Sequence, residues 1–129
     1  MSELSINNIA GMGMDYERTR IEMAMLRLSL VDVSFSSSAE ASSFLSNAQS
    51  KFSNQLSSSE LSNKNITTKS ISDPTNPNAD IHGNAYYLNI DPTKEMATLV
   101  AATRAYEANV KAYNINAQMV RSALELGAK

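Results

Sequence analysis

DPTKEMATLVAATRAYEANVKAYNINAQMVRSALELG, residues 91–127, is the stretch that decides the fold. Within it, apolar or small side chains fall at Met96, Leu99, Thr103, Tyr106, Val110, Tyr113, Ala117, Val120 and Leu124, in unbroken steps of three and four. A rhythm of about 3.5 residues belongs to a coiled-coil seam, not to the broader stripe of a globular helix. The start is marked as well. Asp91 suits an N-cap, Pro92 suits the first turn, where its missing N–H costs nothing, and Glu95 favours the positive end of the helix. Gly127 is the expected C-cap. At about 1.5 Å per residue the helix spans roughly 50 Å, longer than a compact domain of this size is wide. The molecule is therefore expected to be elongated, and so long a stripe needs a partner.

The other end of the chain supplies one. Ile9, Met12, Tyr16, Thr19, Met23, Leu26, Leu30 and Val33 repeat the same steps, while Asp15, Glu17, Arg18, Arg20, Glu22 and Arg27 lie off that row. The alternating charges keep an outer face wet, and Asp15–Arg18 is spaced for a weak intrahelical pair. Ile21, Met25, Leu28 and Val31 widen the apolar face, so two neighbours rather than one are expected to cover this helix. Gly11 and Gly13 sit inside the pattern, where each costs about 1 kcal/mol relative to Ala. They imply either a frayed start or a backbone that approaches a neighbour closely.

Between these helices the composition changes. Residues 34–72 are dominated by Ser, with Asn, Gln and Lys interspersed, the mark of loop or marginal order. Ala41, Phe44, Leu45, Ala48, Phe52 and Leu56 recur at helical spacing behind a Ser37/Glu40 capping box, which predicts a short helix over 38–56. Residues 66–71 and 85–90 have strand character, separated by an irregular loop, 73–80, with two prolines. His82-Gly83-Asn84 fits a tight turn. The fold class expected is mainly α: an elongated coiled coil of long N- and C-terminal helices with a small irregular or β middle. The divisions are 1–35, 36–90 and 91–129.

The 129 residues carry 11 basic and 13 acidic side chains, well mixed, for a net charge of −2. Such a surface does not attract a polyanion, which argues against nucleic acid as a partner. Seven Met, three Phe, five Tyr and no Trp predict a core light in aromatics. The absence of Cys excludes disulfides, thiolate metal sites and a Cys nucleophile. Residues 1–4 lack the basic and apolar regions of a cleavable secretory signal, and no stretch has the apolar length of a membrane span, so no membrane insertion is expected.

Chemistry finds little footing. His82 is the sole histidine and lies in a polar turn. Asn76, Asn78 and Asp80 open like a calcium loop, but Ile81 stands where Gly is needed and Tyr87 where the bidentate Glu belongs. The serines have no general base beside them, there is no glycine-rich phosphate loop, and the methionines on the helical stripes suit packing. No catalytic residue, metal or cofactor is expected.

Two segments carry a resemblance. The run Asp73-Pro74-Thr75-Asn76-Pro77-Asn78-Ala79-Asp80, followed by Gly83, Tyr86-Tyr87 and Asn89, resembles the segment before the last helix in the proximal-rod branch of the bacterial flagellar rod and hook proteins. Glu95-Met96 and Ala102-Thr103-Arg104-Ala105-Tyr106-Glu107-Ala108-Asn109-Val110 resemble that family's C-terminal motif, and Ile9-Ala10-Gly11 its opening. The likeness is carried mainly by 73–126. Where family members have an Ala-Ser-Asn-Leu-Ala-Asn-Ala type of stretch, this chain reads Met25-Leu26-Arg27-Leu28-Ser29-Leu30-Val31-Asp32-Val33, and the Ser-rich tract replaces the strand that follows.

The resemblance implies terminal helices paired as a coiled coil. It also implies a torque-transmitting tube built from copies of the chain and other rod proteins, and passage to the periplasmic basal body through flagellar type III export without a cleaved signal. The residues expected to carry assembly are Ile9, Met12, Tyr16, Met23, Leu26, Leu30, Met96, Leu99, Thr103, Tyr106, Asn109, Val110, Tyr113, Ala117, Val120 and Leu124, with Tyr106, Asn109 and Tyr113 as polar-tipped packing positions. The competing expectation is a soluble helical adaptor or export chaperone whose widened N-terminal stripe grips a partner helix.

Overall fold

The computed structural model describes residues 3–51 and 66–128. Five elements follow in order: α1 (Glu3–Ser29), α2 (Ser38–Ser50), β1 (Thr68–Ser72), β2 (Asn84–Leu88) and α3 (Pro92–Gly127). The part of the predicted short helix beyond 51, with Phe52 and Leu56, lies outside the described residues.

The caps explain where the helices begin. Asp91 has extended backbone and its Oδ1 accepts from the N–H of Thr93 at 3.0 Å and of Lys94 at 3.4 Å, so two of the orphan donors of α3 are satisfied by one carboxylate. Ser37 caps α2, its Oγ accepting from Glu40 N at 3.1 Å. The return half of that capping box is displaced by one residue: the Glu40 carboxylate takes the N–H and hydroxyl of Ser36. At the far end of α3 the expected glycine cap does not form. Gly127 stays within the helix and Ala128 closes it in right-handed geometry, donating to Leu124 O at 3.0 Å, because no left-handed turn is made there.

Helices α1 and α3 lie lengthwise against each other. As α1 advances from Asn7 through Gly13 to Arg27, its neighbours on α3 recede from Asn116 through Asn109 to Glu95, so the pair is antiparallel. The pairing of the two chain ends expected from the matched rhythms is thus present.

The middle is a β-hairpin with a helix laid on it. β1 and β2 pair antiparallel, Thr68 opposite Leu88 through Ser72 opposite Asn84. The second strand stops at Leu88, short of the predicted 90, because the chain must turn there to place Asp91 as a cap. Phe35, just past α1, adds one residue of strand pairing: it donates to Tyr86 O at 2.7 Å and accepts from Tyr86 N at 3.0 Å. This joins the hairpin to the end of α1. The core beneath is Leu30, Phe35, Ala41, Leu45, Leu88 and Ile90, with Leu26, Val31, Ile66 and Tyr86 packed against it. Phe44 leans on Phe35 with ring centroids 5.6 Å apart. It is a small, mostly aliphatic core, in keeping with the scarcity of aromatic residues.

Candidate assembly surface

The surface of α3 is set by which side it turns to α1. Residues buried on α3 are Glu95, Ala102 and Asn116, and the half-buried Asn109 continues the same row at seven-residue spacing, with Leu99, Tyr106 and Val120 half-buried between them. On α1 the facing residues Asn7, Gly13 and Arg27 belong to a row that also contains the buried Ala10, Glu17 and Ala24. These are small or polar side chains. They let the backbones come close: a Cβ added to Gly13 would stand 2.7 Å from Asn109 Nδ2.

The buried side of α3 differs in part from the predicted row. Leu99, Tyr106 and Val120 are half-buried, and the residues that alternate with them on the less exposed side are Glu95, Ala102, Asn109 and Asn116 rather than Met96, Thr103, Val110 and Ala117. α3 is turned by roughly 50°, half the angle between successive residues of a helix. The cause is size. Ala102 is fully enclosed, whereas Met96, next to the buried Glu95, is 58% exposed. Met96, Thr103, Tyr113 and Leu124 are all exposed, and Val110 and Ala117 are half-buried beside the contact.

On α1 the predicted row divides. Ile9 and Met12 are exposed, Met12 at 72%. Tyr16 is half-buried, with the Arg20 guanidinium over its ring at 5.9 Å. Met23 and Leu30 are buried, and Leu26 and Leu30 pack into the core by the hairpin rather than onto α3. α1 thus faces α3 along its length and meets the core at its C-terminal end, which accounts in part for its wide apolar face.

What remains outside is a set of apolar positions along the helix pair. Ile6, Ile9, Met12 and Met25 project from α1, and Met96, Val100, Tyr113 and Leu124 from α3. A further exposed row, not singled out by the sequence pattern, runs along Ala97, Ala101, Ala108, Ala112, Ile115 and Met119. Alanines contribute little to a hydrophobic rhythm, yet such small residues permit a second helix to approach closely.

The loop between the strands is held by its own polar side chains. Asp73 Oδ1 accepts from Thr75 N and Oγ1, and Asn76 Oδ1 accepts from Asn78 N. Asn78 Nδ2 donates to Ser34 O and Oγ, which ties the loop to the segment after α1. Asp80 Oδ1 accepts from the N–H of Asn84 and of His82, both at 2.9 Å, while its Oδ2 accepts from Tyr86 OH at 3.1 Å. The Asn84 bond above all, then the His82 and Tyr86 bonds and the nearby imidazole, hold the Asp80 carboxyl below its usual range against an opposing desolvation effect. The same bond and charge push the Tyr86 phenol up. Gly83 takes φ +78, and a Cβ there would also press on Pro74 at 3.2 Å. The side chain left outermost is Ile81, 96% exposed. His82 is exposed too, and its backbone N–H is spent on Asp80.

Among the described residues no three His, Asp or Glu side chains cluster as metal ligands, and no helix is long and apolar enough to cross a membrane. The surface offers contact area, and comparison with known proteins indicates what kind of contact to expect.

Residues 83–126 match the family described as the flagellar basal body rod FlgEFG protein C-terminal. The chain is 38% identical over 99 residues to the flagellar basal-body rod protein FlgC of Bacillus subtilis, covering 74% of this chain and 66% of that protein. It is 44% identical over 57 residues to the protein of the same name from Aquifex aeolicus, covering 44% of this chain and 42% of the relative. With that of Salmonella typhimurium it shares 36% over 59 residues, covering 46% and 44%. The matched part thus spans just under two thirds of the first of these curated relatives and less than half of the other two. No solved structure matches the chain. The rod motif at 83–126 lies on the second strand and on α3, the helix that both pairs with α1 and leaves an apolar flank uncovered; the chain belongs to the flagellar basal-body rod protein family.

Proposed function

We propose that this protein is a structural subunit of the bacterial flagellar rod, built into the tube through its terminal helices. The observation that carries the reading is the uncovered apolar surface on a helix pair whose own contact is already made: Ile9, Met12, Met96, Tyr113 and Leu124 have no role inside the fold described. A neighbour that covers them gains about 25 cal/mol for each Å² of apolar surface removed from water. A contact that joins one such flank to a different face of the next molecule does not close on itself and generates a filament.

Copies of this chain and other rod proteins are the partners, and no residue performs catalysis. The protein reaches the periplasmic rod by type III export. Residues 1–35 and 91–129 are the assembling parts, and 36–90 is a polar middle segment. No observation favours the adaptor alternative.

The test is Met96→Asp in cells that make only this variant. Met96 is exposed, so the hairpin retains its helix content, while a charge placed in the covered contact blocks incorporation. The expected result is loss of swimming and of complete basal bodies in electron micrographs. Normal rods and normal swimming would refute the reading.

A further inference from the structure

The contact between α1 and α3 is unusually polar at its two ends. Arg27 and Glu95 have side chains only 7% and 6% exposed, yet Arg27 Nη1 stands 3.7 Å from Glu95 Oε2, beyond hydrogen-bonding reach. Neither Arg27 Nε nor Glu95 Oε2 finds a hydrogen-bond partner among the described residues. Near the other end, Asn116 Nδ2 donates to Asn7 Oδ1 at 2.7 Å, with Asn116 buried. One residue along from Glu95, Met96 is left in water. A setting of α3 rotated toward that flank would bury Met96 and return Glu95 to solvent, so the observed setting is not the one that hides the most apolar surface.

We infer that the Arg27–Glu95 and Asn7–Asn116 pairs fix the rotation and register of α3 on α1, and so keep the Met96 flank facing outward. A loosely fitted buried ion pair contributes little net stability, and apolar residues of similar shape commonly replace one without loss. Its force lies in what it forbids. If α3 turned or slipped, Arg27 would stay against the helix pair without its carboxylate, and the buried Asn116 carboxamide would lose its acceptor on the half-buried Asn7. Each unpaired buried polar group costs more than the made pair contributes. A buried Asn pair selects register in coiled coils by the same route. The inference concerns the hairpin itself and does not depend on the rod reading.

The chain has no cysteine, so a single introduced thiol reports one position of the full-length protein. Met96→Cys and Ala102→Cys, made separately, mark the outward flank and the enclosed row. With a thiol-reactive chromogen, Met96→Cys should react at least roughly tenfold faster, since the other site is reached only through local opening. The same two probes are then placed in a background carrying Arg27→Met, Glu95→Leu, Asn7→Leu and Asn116→Leu. There the rate ratio should collapse toward one or invert while circular dichroism retains the parent helix content. An unchanged ratio with retained helix overturns the inference. Loss of helix in the fourfold background overturns it equally, because the polar pairs would then be supplying stability and not setting. Equal rates for the two probes in the parent chain also overturn it.

Discussion

Two glycines in one helix should respond differently to the same substitution. Gly→Ala inside a helix contributes about 1 kcal/mol through backbone entropy and propensity when the methyl meets nothing. Gly11 is such a site: no atom lies within 4 Å of an added Cβ. Gly11→Ala should therefore stabilise the protein by roughly 0.5–1 kcal/mol. At Gly13 the added Cβ would meet Asn109 at 2.7 Å from Nδ2, 3.0 Å from Cγ and 3.1 Å from Oδ1. Three contacts that short, against an ordinary separation of about 3.5–4.0 Å, force a response. If Asn109 leaves its rotamer the cost is about 0.5–1.5 kcal/mol, and if the helices separate it is about 1–3 kcal/mol. Set against the helix-propensity gain of about 1 kcal/mol, Gly13→Ala should range from about 0.5 kcal/mol stabilising to about 2 kcal/mol destabilising, always below the gain at Gly11 by the cost of the contact. Urea unfolding followed by far-ultraviolet circular dichroism separates the two, and each kcal/mol corresponds to a midpoint shift of a few °C in a thermal scan. Asn109→Ala should remove the clash, so the double variant Gly13→Ala/Asn109→Ala recovers the gain seen at Gly11. A Gly13→Ala protein as stable as Gly11→Ala would refute the close approach of α1 and α3.

Two other outcomes follow from the middle of the chain. Leu88, 1% exposed in a core of six buried side chains, should cost about 2–5 kcal/mol when replaced by Ala, read as a drop in the urea midpoint. Asp80 has a folded-state pKa below its usual 3.8, so its contribution is complete above that value and lost as pH falls through the lower folded one; Tyr86, raised above its usual 10.0, contributes below that value and loses the contribution as pH rises through the higher folded one. Amide-exchange protection at His82 and Asn84 should therefore hold between these limits and fail in acid, and in Asp80→Asn the acid failure should vanish; an identical acid profile in the variant would refute the carboxylate's role.

The elements themselves were open to reading from residue order. Asp91-Pro92 announces the start of α3 because one carboxylate and one missing donor answer the needs of a helix N-terminus, whatever the rest of the chain does. Ser37 and Glu40 did the same for α2. The hairpin followed from β-prone runs on either side of a proline-rich loop, although Phe35 as a third pairing residue had no local signal, being fixed only by where α1 delivers the chain. Gly13 and Gly11 were ambiguous for a sound reason: a missing side chain looks the same whether a neighbour needs the room or not, and only the opposite Asn109 distinguishes them.

The rotation of α3 was not legible, and the reason bears on what the helix is for. A search for hydrophobic rhythm assumes that the most apolar side chains meet inside one molecule. Here the row Glu95, Ala102, Asn109 and Asn116 meets α1, and the more apolar Met96 and Leu124 remain in water. A monomer selected for its own stability alone gains by the reverse arrangement, since each CH₂ buried contributes about 0.8 kcal/mol and each buried unpaired polar group subtracts. The observed division of labour is intelligible if α3 has two contacts to make: a small-residue, polar-ended one within the chain, whose register cannot drift, and an apolar one outside it. The stripe that decided the fold is then better read as the union of both contacts, which is why it looked continuous from Met96 to Leu124 although α1 covers only part of it. An outward flank that reacted slowly with a thiol probe in the isolated protein would break this account at its first step.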